Sequence, residues 1–96
     1  MLPLIVALAA VTVACVVFML KFGTVKKWFN QNQKITNPNA VNVLLKQKLK
    51  SGEYKTIGGI FDTKTENILT ATAWQSQKLD DELNKLERVS VLRNLN

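Results

Sequence analysis

The hydrophobic positions of this chain fall into one unbroken run followed by several short periodic ones. Residues 1–20 read MLPLIVALAAVTVACVVFML and carry no charged side chain. As an α-helix, Leu2 to Leu20 spans about 28 Å, close to the hydrocarbon thickness of a bilayer. A helix satisfies its own backbone hydrogen bonds, which lipid cannot do for it. The pattern therefore predicts a single transmembrane anchor over 1–22, closed by Lys21. Pro3 suits a first turn, where a missing N–H costs nothing. Ala7, Ala10 and Ala14 recur at helical spacing and form a small-residue face on which another helix can pack. A cleavable signal peptide fits less well, because no basic side chain precedes the run and its small residues lie inside it. Cys15 is a poor lipid acceptor, being followed by Val16, Val17 and Phe18 rather than polar chain.

Beyond the run the periodicity shortens. Residues 23–37 form a basic juxtamembrane segment and linker, with a helix that either breaks at Gly23 or continues to about Lys34. Asn37-Pro38 is a helix start, and Val41, Leu44, Leu45, Lys48 and Leu49 follow at helical spacing. Gly52 reads as the C-terminal cap. Tyr54–Phe61 and Ile68–Trp74 are β-prone and flank a polar turn, which predicts a hairpin. Gly58 and Gly59 within it suggest a bulge or a close backbone approach. From Ser76, the stripe Leu79, Leu83, Leu86 and Val89 or Ser90 predicts a second amphipathic helix, with Asp80, Asp81 and Glu82 at its positive end. The expected fold class is α+β: a transmembrane helix, then a small helix–β-hairpin–helix domain over 38–96.

Charge sharpens this picture. The net charge is +6. Lys21, Lys26, Lys27, Lys34, Lys46, Lys48, Lys50 and Lys55 stand against Glu53 alone, so the excess lies just after the apolar run. Anionic lipid attracts such a collar. Lys21, Lys26, Lys27 and Trp28 are the expected headgroup contacts, since lysine stems and tryptophan rings both suit the interface. The positive-inside tendency places the C-terminal domain on the cytoplasmic side at insertion. Specific nucleic-acid binding is disfavoured, because the collar has no Arg for bidentate contacts and no recognised motif accompanies it.

The chemistry-bearing residues are sparse. There is no His, and the single Cys15 lies in the apolar run. Nucleophile–His pairs are thereby excluded. The carboxylates fall in a turn or at a helix start, and Lys64 occupies what would be a ligand position of a calcium loop at Asp62–Asn67. No catalytic, cofactor or metal residues are assigned, and the chain is not expected to be an enzyme. A domain of about sixty residues buries a modest core. It is expected to lean on neighbours, either its own copies or a larger structural or membrane protein. Leu44, Leu45, Leu49, Leu79, Leu83 and Leu86 are the expected protein contacts.

In size and layout, an uncharged N-terminal span, a lysine collar and a small self-packing domain, the chain resembles the minor membrane proteins of corticovirus-type icosahedral phages with an internal membrane. That resemblance implies a virion-membrane location and a network of copies beneath a capsid shell. The expected function is accordingly a structural single-pass protein that tethers a bilayer to a protein assembly. The alternative is an accessory subunit of a membrane-bound enzyme or transport complex.

Overall fold

The central element is a sheet, and the apolar N-terminal run is divided between a strand of that sheet and a cover over it. A computed structural model describes residues 7–32 and 39–92. The elements are β1 (Cys15–Leu20), α1 (Phe22–Gln31), β2 (Ala40–Lys48), β3 (Tyr54–Asp62), β4 (Asn67–Leu79), α2 (Asp81–Lys85) and β5 (Val89–Leu92). The five strands form one sheet in the order β1-β4-β3-β2-β5. β2, β3 and β4 are an antiparallel meander; β5 returns antiparallel beside β2, and β1 lies parallel to β4.

Consecutive residues are buried on opposite faces. Leu44, Ile60 and Trp74 pack with Val25 and Phe29 of α1, whereas Val43, Leu45, Ile57, Phe61 and Ala73 pack with Leu8, Val11 and Val13. A strand covered on both faces reads as a continuous apolar run rather than an alternating one. That explains the first correction. Ala40–Lys48 forms a strand, where an amphipathic helix was expected, because V-N-V-L-L suits either period once both faces are buried. A helix would set Lys48 in the apolar stripe. In the strand it is exposed at the end, over the Tyr54 ring. Gly52, expected as a helix cap, instead takes φ 91° in the β2–β3 turn, where a residue without Cβ carries no steric cost. The expected start at Asn37-Pro38 lies outside the described residues.

The second correction concerns the anchor. Among the described residues no helix is long and apolar enough to cross a membrane. Residues 7–9 make a helical turn, and Cys15–Leu20 is a strand. Val11, Thr12, Val13, Val16 and Val17 are β-branched, which favours extended chain over helix. Within the run, Leu8, Val11 and Val13 pack over the sheet. The single-pass, virion-membrane and cytoplasmic-domain assignments fall with the anchor. Residues 1–6 lie outside the described set.

The third correction is at the C-terminal end. β4 runs on to Leu79, so the expected helix from Ser76 shrinks to Asp81–Lys85 and is followed by β5. Val89 and Val91 favour the strand. The α+β helix–hairpin–helix arrangement is thus replaced by a five-stranded mixed sheet with short helices.

The segments expected to pair about a polar turn do lie in paired strands. Asp62 Oδ1 accepts from the Lys64 and Thr65 N–H groups at 2.9 and 3.2 Å, which closes the turn locally. The register shift between Ile60 and Phe61 leaves Leu69 as the extra residue of β4. Gly58 and Gly59 serve close approach on the two faces. A Cβ on Gly58 would stand 3.1 Å from the Phe29 ring, and one on Gly59 only 2.7 Å from Leu8 Cδ1. The glycine pair thins the sheet where α1 and the N-terminal cover press on it from opposite sides.

Candidate functional site

The residues expected to make contacts outside the chain are placed very differently from one another. Leu44, Leu45, Leu79 and Leu83 are buried core residues and present no surface to a partner. Leu49 and Leu86 are half-buried. Lys21 and Lys27 are exposed and Lys26 is half-exposed around α1. Trp28, expected at a headgroup layer, is half-buried, edge-on to Trp74 at 6.1 Å and to Phe29 at 4.9 Å. The structure therefore does not gather Lys21, Lys26, Lys27 and Trp28 into one outward patch: α1 turns Val25 and Phe29, with the tryptophan beside them, toward the sheet.

Asp80 is the organising polar residue, and its position at a helix start was its only signal in the sequence. Its Oδ2 accepts from the Phe22 N–H at 2.8 Å, and its Oδ1 accepts from the Leu83 N–H at 3.0 Å. One carboxylate thus caps the first turns of both α1 and α2, where unpaired N–H groups and the helix dipole favour negative charge. The Asp80 N–H donates to Leu20 O at 3.0 Å, which ties the end of β1 to the end of β4. At the other end of α2, Lys46 Nζ donates to Leu86 O at 2.5 Å and, at 2.6 Å, to Leu83 O, which also accepts from the Leu86 N–H at 3.2 Å. Burial pushes the Lys46 ammonium below the usual lysine range.

Among the described residues no three His, Cys, Asp or Glu side chains approach one another closely enough to hold a metal ion. A depression of about 350 Å³ is lined by Ser51, Gly52, Glu53 and Gln77, where the exposed Ser51 hydroxyl donates to Glu53 Oε1 at a long 3.4 Å. Thr56 Oγ1 and Ser76 Oγ are buried on neighbouring strands without a hydrogen-bond partner among the described residues.

What stands out is the β1 edge of the sheet. Among the described residues β1 pairs with β4 along one side only, and its other side ends the sheet. Its six residues carry no charge. Val16 is 69% exposed, Phe18 60% and Met19 40%, and the Cys15 thiol is exposed beside them. Lys78 Nζ lies 5.6 Å from the Phe18 ring centroid, a cation over an aromatic face. An edge strand offers unpaired N–H and C=O groups to any incoming strand, and folded proteins usually blunt it with brevity, charge, proline or cover. The opposite edge is blunted in this way: β5 has four residues, exposes Val91 alone among its large hydrophobics, and follows the exposed Arg88. β1 is longer, and apart from Lys21 just past its end it has neither charge nor proline along its length. Sequence reasoning missed this site because a helical anchor hides Val16, Phe18 and Met19 in lipid. The β-branched pair Val16-Val17 was the available signal.

Comparison with protein-family models, curated proteins and solved structures finds no match to this chain.

Proposed function

We propose that the protein is a non-catalytic structural module that builds assemblies by accepting a β-strand on its β1 edge. The supporting observation is the uncharged open edge, with Val16 and Phe18 among the most exposed large hydrophobic residues of the described chain. Strand addition draws affinity from main-chain hydrogen bonds and selectivity from alternate side chains. An edge rich in Val and Phe favours an extended apolar partner with β-branched or aromatic residues facing it. Tethering remains the expected role, now through a sheet edge rather than through leucines on two helices.

The test is residue-resolved amide exchange in the intact protein, with and without a soluble Val/Thr/Phe strand peptide carrying lysine at each end. Added peptide is expected to slow exchange and shift resonances along Cys15–Leu20 while leaving β5 unchanged. Phe18→Lys is expected to abolish the effect. Peptide binding that leaves β1 unperturbed, or that survives Phe18→Lys in full, refutes the strand-acceptor reading.

A further inference from the structure

We infer that the strand which occupies the β1 edge belongs to a second copy of this chain, laid antiparallel across a two-fold axis at Val17. This inference rests on the strand-acceptor reading and names its partner. The exposure of β1 is symmetric about Val17: Cys15 and Val16 are exposed on one side, Phe18 and Met19 on the other, with Val17 half-buried between them. Antiparallel pairing about that residue sets Val16 of one copy opposite Phe18 of the other, and Cys15 opposite Met19. Each exposed apolar side chain then meets an apolar partner, and the Val–Phe pair is a favourable cross-strand combination. A two-fold contact of this kind is self-complementary, as isologous interfaces must be.

Charge selects the same register. The chain carries +6, so two copies repel wherever their lysines meet. β1 is neutral throughout, and a Val17 axis sets Lys21 of each copy opposite Val13 of the other, at opposite ends of the contact. An axis moved four residues toward the C-terminus would bring Lys21 against Lys21. Of the β4 residues behind the edge, Lys78 lies over the Phe18 ring and the uncharged Gln75 stands beside Val16. A strand-on-strand contact of six residues a side falls in the small class of interfaces, below about 1,200 Å². The dimer is therefore a reversible one, and the shared sheet has ten strands.

The experiment combines sedimentation velocity over a wide concentration range with disulfide trapping. Wild type is expected to pass from monomer to dimer as concentration rises, with Phe18→Lys weakening association at least tenfold. Met19→Cys, which keeps the native Cys15, is expected to form a covalent dimer rapidly under copper–phenanthroline oxidation, since paired strands bring Cα atoms within disulfide reach. Cys15→Ser combined with Met19→Cys is expected not to trap, nor is wild type, whose two Cys15 residues lie at opposite ends of the contact. A chain that stays monomeric at every concentration, yet binds the strand peptide along β1, overturns the second-copy assignment and leaves the strand-acceptor reading standing. A dimer untouched by Phe18→Lys overturns this inference, because it must use another surface. A Phe18→Lys-sensitive dimer that traps through native Cys15 alone overturns the Val17 axis.

Discussion

Residues 7–14 and 15–20 are neighbours in the chain and similar in composition, yet they meet opposite surroundings. The first segment lies over the sheet, with Leu8 fully buried among Val43, Leu45, Ile57 and Phe61. The second is the sheet's outer strand, with Val16 and Phe18 turned to solvent. Hydropathy is the same whether an apolar side chain faces core, lipid or an unfilled edge. What distinguishes them is the local partner. Leu8 has a notch prepared for it at Gly59, and Lys55 Nζ donates to Ala9 O at 2.9 Å to hold the segment down. β1 has its ladder to β4 and, among the described residues, no strand on the other side. The first segment is expected to matter for stability and the second for association.

The sharpest test of that division is Leu8→Ala. It removes a fully buried side chain and leaves a cavity between the cover and the sheet, at an expected cost of about 2–4 kcal/mol. Denaturant unfolding measures it, with a lower midpoint at an unchanged slope. If the segment covers the sheet as described, the folded fraction of this variant associates like wild type. A loss below about 0.5 kcal/mol would mean that residues 7–14 do not contribute to the core.

Lys55→Met is a gentler probe of the same segment. It keeps the aliphatic stem but deletes the hydrogen bond to Ala9 O, a contact that is partly exposed and so worth about 1 kcal/mol. The expected signature is local: faster amide exchange over residues 7–14, with β3 and β4 protection retained. Equal loosening across the meander would show that the cover and the sheet open as one unit.

How much of this was legible beforehand differs by region. The β3–β4 pairing could be read because Asp62–Asn67 is polar, turn-prone and flanked by β-branched runs, and the Gly58-Gly59 signal for close approach was sound. β2 could not, because Val41, Val43, Leu44 and Leu45 satisfy a helical stripe as well as a strand buried on both faces. The leucines chosen as contacts were chosen for spacing. Spacing identifies a buried face but not whether that face meets its own chain, and Leu44, Leu45, Leu79 and Leu83 meet their own. Asp80 was expected inside the first turns of a helix from Ser76, whereas it is the N-cap of a helix that starts only at Asp81. Its second bond, to the Phe22 N–H, spans 58 residues and belongs to the tertiary structure alone. The open edge was hardest to see, since its evidence is the absence of a neighbour.

Val16→Lys has the smallest expected effect on the fold and separates the two segments most cleanly. Val16 is 69% exposed, so little packing is lost and stability should stay within about 0.5 kcal/mol of wild type. β-propensity falls slightly, because lysine is less suited to a strand than valine. Association should fall steeply, since pairing about Val17 would set each new ammonium group against the partner's Phe18 and remove it from water without a counter-charge. Lysine at an edge is also a common device for preventing strand addition. Measured together, unfolding and sedimentation place this variant opposite Leu8→Ala: one lowers stability and spares association, the other spares stability and removes association. Should Val16→Lys instead unfold the protein, β1 would have to be part of the core like residues 7–14, and the distinction between the two halves of the apolar run would collapse.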